Sequence, residues 1–252
     1  MGCQNNDFKN YKLNNFNFLV SGLLFAILLP VSNVSLQAQK NSVSSSYQAF
    51  DNSYGLEPQL VNGRRYFRTN LHAEGHPFYH SEETFAAKVC VNGVCYPNTQ
   101  LLYELNKGEF ILAFHDNNDV PGFIILNKEL IDSVVTGQVK FIQNPFNEID
   151  NSFLQIIHDD SISAYASYYK EYIFQNVGAQ TGYKYGETSI SYYIEVAGKL
   201  QSVNSKRGLV RAFHKTNRKA LNAYLTERKI KFKKITWQEI KTIVEFCNSE
   251  LQ

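Results

Sequence analysis

Long apolar runs are nearly absent from this chain of 252 residues. The one extended run, residues 18–31, falls short of the roughly 20 residues that a helix needs to cross a bilayer. No later stretch is longer, so no membrane-spanning helix is expected after it. Nucleotide-binding glycine fingerprints are missing, as are the GxSxG elbow of serine hydrolases and the HExxH pair of zinc proteases. Cysteine is sparse at four residues, and no Cys-x2-Cys spacing of zinc knuckles or thioredoxin-like motifs occurs. No internal repeat appears. These absences remove the common cofactor-dependent classes and leave an ordinary folded domain, rich in Tyr (16) and Phe (18), whose rings can fill a sizeable core.

Two of the cysteines stand in "CVNGVC". Asn92-Gly93 suits a type I′ turn, in which both central residues need φ > 0. The turn sets Val91 opposite Val94, and Cys90 opposite Cys95 one pair further out. That second pair is a non-hydrogen-bonded site with Cα atoms about 4.5 Å apart, within disulfide reach. A Cys90–Cys95 bridge is the expectation; inert thiols, or redox or metal chemistry, are the alternatives, and compartment decides among them. Cys247 lies in an apolar helical stripe and reads as a small buried hydrophobe.

Compartment is read from the N-terminus. Lys9 and Lys12 precede the apolar run, and the polar "SNVSLQAQ" follows, which is the order of a secretory signal. Residues 1–38 are therefore expected to be a signal peptide cleaved after Ala38, with an uncleaved anchor as the alternative. Cys3 precedes the apolar core and cannot be a lipoprotein cysteine. An exported chain permits the disulfide.

Residues 39–55, rich in Ser, Asn and Gln, read as a flexible lead-in. Residues 56–204 carry β signals: "QLVNGRRYFR", the cysteine hairpin, "TQLLYELNKGEFILAFH", "GFIIL", "QVKFIQ", "SAYASYYKEYIF" and "TSISYYIEV" turning through Ala197-Gly198 into "KLQSVN". Short turns between them imply antiparallel pairing. Residues 205–252 switch to helical period: "KRGLVRAF", then "TNRKALNAYLTERK" with Ala220, Leu221, Tyr224 and Leu225 on one face. A third helix opens on a Thr236/Glu239 capping box and carries Ile240, Ile243, Val244, Cys247 and Leu251. The expected fold is α+β: an antiparallel, meandering, curved sheet followed by two or three helices packed on it.

Chemistry has few footholds. His72, His76 and His80 recur every four residues around Glu74, but Gly75 and Pro77 break any helix that would align them. In a strand they would lie about 13 Å apart. A polar loop is expected, and a metal site only if the loop gathers all three. "HDNNDVPG" reads as an Asx-rich turn, not a calcium loop. "HDDS" at residues 158–161 lacks the context of a hydrolase triad, and no carboxylate pair can be chosen for glycoside hydrolysis. No cofactor is expected.

Charge is the sharper signal. Between residues 206 and 234 stand eleven Lys and Arg against Glu227 alone, in a chain of net charge +2, so the remainder is net acidic. Such segregation favours anionic partners. Arg211, Lys215, Arg218, Lys219, Lys231, Lys233 and Lys234 are the candidate binding residues; a merely solvated helical face is the competing reading. "KIKFKK" reads as an exposed basic link or a lysine-guarded strand edge.

"EGHPFY", "YPNTQLLYELNKGEFIL", "SYYIEVAGKLQSVNSKRGLVRAF", "KALNAYLTERKIKF" and "TWQEIKTIVEFCNSEL" occur in an order that resembles a group of secreted Bacteroidota cell-envelope proteins. "LQAQ" is similar to that phylum's export signals. The resemblance implies an envelope location and no particular activity. The expected function is an exported, non-catalytic binding or scaffold module that meets a protein partner or an anionic envelope surface in the periplasm or at the outer membrane, without nucleic acid. The alternatives are a periplasmic carrier of lipids or other apolar ligands, and an envelope glycan or lipid hydrolase.

Overall fold

The structure, a computed structural model, describes residues 60–250 except 62, 116–119 and 178–179. The leader, the lead-in, Leu251 and most of the Asx-rich turn lie outside the described residues. The strands are β1 (Arg64–Arg65), β2 (Phe85–Val91), β3 (Val94–Glu104), β4 (Glu109–His115), β5 (Pro121–Ile125), β6 (Ile131–Thr136), β7 (Val139–Gln143), β8 (Phe153–His158), β9 (Ile162–Tyr169), β10 (Tyr172–Val177), β11 (Gln180–Tyr185), β12 (Ser189–Val196) and β13 (Lys199–Ser202). The helices are α1 (Lys206–Ala212), α2 (Arg218–Glu227) and α3 (Trp237–Glu250). This is the expected α+β order.

Eleven strands form one sheet in the order β1-β5-β4-β3-β2-β6-β7-β8-β9-β12-β13, with every pairing antiparallel. From β2 onward it is a meander with one reversal: after β5 the chain crosses back and lays β6 on the free side of β2, while β1 lies at the edge beyond β5. Strands β10 and β11 pair with each other in a separate ribbon. The run "SAYASYYKEYIF", read as one strand, is therefore two, because the chain leaves the large sheet at Lys170.

The reversal forces curvature. Ile125 lies beside Ile111 and Leu102, whereas Ile131 lies beside Val91 and Val94. On a flat sheet those points would be about 30 Å apart, from eight residues along β3 and four strand spacings. Six Cα steps span at most about 21 Å. The sheet must curl to bring them together. A bulge helps: the β2–β3 register slips between Ala87 and Val89, opposite Pro97 and Asn98, and Asn98 has φ +59°.

Alternation sends side chains to two buried layers. Leu101, Tyr103, Phe110, Phe141, Phe153, Ala164, Ala166, Tyr168, Tyr192 and Ile194 join Leu209, Leu221, Leu225, Ile240, Ile243, Val244 and Cys247 of the helices in the main core. At its centre the rings of Tyr79, Tyr103, Phe110, Phe141 and Tyr168 meet, mostly edge to face. Two of their hydroxyls find acceptors: Tyr103 donates to Asn151 Oδ1 at 3.2 Å, and Tyr168 donates to Gln155. On the other face Leu154, Tyr165, Ile149, Phe146 and Tyr193 form a second cluster.

Helix α3 lies on β8 and β9. Its capping box is complete: Thr236 Oγ1 accepts from Glu239 N at 3.3 Å, and Thr236 N donates to Glu239 Oε2 at 2.8 Å. Helix α2 buries Leu221 and Leu225 and leaves Ala220 exposed, a narrower face than the sequence pattern implied. "KIKFKK" is no strand; Phe232–Lys234 make one turn of 3-10 helix.

Candidate functional site

The cysteine hairpin folds as its turn demands. Asn92 and Gly93 have φ +50° and +79°, Val91 pairs with Val94, and Cys90 pairs with Cys95. A disulfide joins the two, with Cα atoms 4.0 Å apart. Cys247 is fully buried, and burial pushes its thiol up to about 12, which makes it inert as a nucleophile.

The three histidines are not gathered. His72 and His80 are exposed and His76 is half-buried. Among the described residues no group of three or more His, Cys, Asp or Glu is placed to hold a metal ion. The loop is instead tied to the β10–β11 ribbon: Glu74 N donates to Tyr183 O at 3.0 Å and Tyr185 N to Glu74 O at 2.9 Å. His76 Nδ1 accepts from Phe78 N at 3.2 Å, and the Lys170 ammonium sits 3.4 Å from the same nitrogen and 3.1 Å from His76 O. Both neighbours donate, so Nδ1 is the unprotonated nitrogen. Burial, then the Lys170 charge, lower the His76 pKa; burial lowers that of Lys170. Lys170, only 8 % exposed, had no signal in the sequence beyond interrupting a tyrosine-rich run.

The basic helical segment separates into two kinds of residue. Arg218, a candidate binding residue, is used internally: Nε donates to Phe213 O at 2.9 Å and Nη2 to Arg211 O at 3.1 Å, closing the C-terminal end of α1. Lys206 donates to Thr226 Oγ1 at 2.8 Å and ties α1 to α2. By contrast Arg207, Arg211, Lys215, Lys219, Lys229, Lys231, Lys233 and Lys234 are exposed. The ion pairs found among the described residues are Arg64–Glu109, Arg68–Glu82, Lys107–Glu104 and Lys241–Glu245. None involves the basic segment. Six of the seven candidate residues thus present unneutralised charge to solvent. The α1–α2–α3 layer holds together through Tyr224, whose ring stacks on Phe246 at 4.0 Å, and through the shared core.

No protein-family model matches this sequence, no curated protein matches it, and no solved structure matches its fold. The resemblance to secreted Bacteroidota proteins rests on the quoted motifs alone. The class that fold and surface define is a disulfide-bearing α+β protein whose strongly curled antiparallel sheet carries a cationic helical layer.

Proposed function

We propose that this protein is an exported, non-catalytic envelope module that docks on an anionic lipid surface through its helical layer. One observation carries the reading: the exposed Lys and Arg between residues 207 and 234 have no ion-pair partners among the described residues. A stable helical face needs no such concentration of one charge, and self-repulsion makes it costly unless an anionic surface offsets it. The disulfide is compatible with an oxidising compartment, and the basic-apolar-polar order of residues 1–39 supports export.

Each cation near an anionic membrane contributes about 1 kcal/mol, and the attraction fades within a Debye length of about 10 Å at 0.1 M salt. The test is flotation of the leaderless protein with vesicles. Phosphatidylglycerol-containing vesicles should carry the protein and pure phosphatidylcholine vesicles should not, with binding lost as salt rises. Replacing Lys229, Lys231, Lys233 and Lys234 with Ser should weaken binding by on the order of a thousandfold. Equal binding to both vesicle types, or none to either, would reject the lipid assignment; so would tight capture of an envelope protein through these same lysines.

A further inference from the structure

The face of the sheet opposite the helices carries a cleft of about 300 Å³. Its floor is formed by Ser167 and Tyr169 of β9 and Tyr193 of β12. Its walls are the β3–β4 turn at residues 105–108 and the loop at residues 148–152. Its size lies at the lower end of the range for small-ligand sites.

The walls are fixed before any ligand arrives. Asn144 Nδ2 donates to Ile149 O at 2.7 Å and to Asn151 O at 2.8 Å, while its Oδ1 accepts from Phe146 N at 2.9 Å. Asn151 Nδ2 donates to Tyr168 O at 2.7 Å, and its Oδ1 accepts from Phe153 N and the Tyr103 hydroxyl. Gly108, at φ +64°, lets the opposite turn rest against this loop; a Cβ there would stand 3.1 Å from Asn151 Oδ1. A rigid wall loses little entropy on binding.

The chemistry of the lining selects the ligand. The Lys107 ammonium is held by Glu104 at 2.8 Å, so its charge is already matched. Glu148 and Asp150 are exposed on the rim and form no ion pair among the described residues. The rim is therefore acidic and repels phosphates, sulfates and carboxylates. Asn106 also lines the wall, with its Oδ1 buried and without a hydrogen-bond partner. The tyrosine rings add flat apolar faces, and Tyr169 is 47 % exposed. Acceptors for several hydroxyl donors beside an open aromatic face suit one kind of molecule, a ring with C–H groups on its faces and hydroxyls on its edge.

We infer that this cleft binds a neutral saccharide unit, with a sugar ring on Tyr169 and its hydroxyls donating to Asp150 and Glu148. The site is independent of the basic helical layer. The experiment is calorimetric titration of the disulfide-intact protein with maltose, cellobiose and N,N′-diacetylchitobiose, with a sulfated disaccharide and calcium chloride as counter-probes. At least one neutral disaccharide should bind saturably. Tyr169→Ala should weaken it tenfold or more, and Asp150→Asn severalfold, with thermal stability kept because both side chains are exposed. Saturable binding by none of the three overturns the inference. So does affinity unchanged in both variants, equal affinity for the sulfated sugar, or uptake of calcium alone.

Discussion

At the scale of single residues, His76 has the most instructive surroundings. Its Nδ1 faces two donors, Phe78 N–H and the Lys170 ammonium. A proton there would break one contact and oppose the other. The folded-state pKa is lowered from the ordinary 6.5, so the unfolded chain binds this proton more readily. The stabilising effect of a neutral His76 is complete above about pH 6.5 and is lost as pH falls through the depressed folded value. Denaturant midpoints should therefore drop on acidification from about pH 7 to 5 more steeply for the natural protein than for His76→Gln, whose amide does not titrate. Parallel pH profiles for the two would show that His76 does not report on folding. Sequence spacing singled out this histidine without naming its neighbour. The four-residue spacing reads as a polar loop, with a metal only if all three histidines gather, and neither reading points to Lys170, which is remote in sequence and visible only once β9 ends where it does.

At the scale of elements, the end of α2 carries a local strain. Lys229 N donates to Thr226 O and Ile230 N to Leu225 O, which is a Schellman closure with Lys229 at the position that normally takes glycine. Lys229 has φ +53°, a conformation unfavourable for a side chain with a Cβ. Lys229→Gly should raise stability by roughly 0.5–1 kcal/mol in urea unfolding, while removing one exposed positive charge. An unchanged or lower midpoint would contradict the strain. The expected helix continued to residue 229, because Arg and Lys are good helix formers and no glycine marks the stop. Other elements were legible for clear physical reasons. The Asn92-Gly93 and Ala197-Gly198 turns, the Thr236 box and the stripe of α3 each carry a local instruction. Strands β6, β8 and β11 were not, because "IDSVVT", "FLQIIH" and "QTGYKY" are short and show no clean apolar–polar alternation.

At the scale of the whole described structure, the curl of the sheet follows from the length of one connection. Residues 126–130, which include a 3-10 turn at Lys128–Leu130, join β5 to β6 across β4, β3 and β2. Leu126 N still donates to Phe110 O, and Leu130 O already accepts from Asn92 N, so both ends are anchored. Inserting four Gly-Ser residues after Lys128 removes the constraint. The cost should exceed the few tenths of a kcal/mol that loop lengthening alone implies, and amide exchange should quicken along β2 and β3. Stability unchanged within that small allowance would mean that the bulge at Asn98 alone sets the curl. Strand order itself was beyond reading from the sequence. Antiparallel pairing follows from short turns, but the placing of β6 beside β2 depends on contacts between segments some forty residues apart. The cleft was illegible for the same reason: residues 106, 150 and 169 meet only because β3, β8 and β9 are brought together.

The position of β2 also has a consequence in time. As the chain lengthens from its N-terminus, β2 to β5 are complete before β6 exists, and during that interval one side of β2 is an open edge able to pair with any other strand. Cys90 is the residue of β2 that faces Cys95 on one side and Ser133 on the other. Once closed, the disulfide forbids the hairpin from slipping by even one residue, a slip that would turn every side chain to the opposite face. Once formed in an oxidising compartment, the bridge thus holds β2, in correct register, as the template on which β6 pairs.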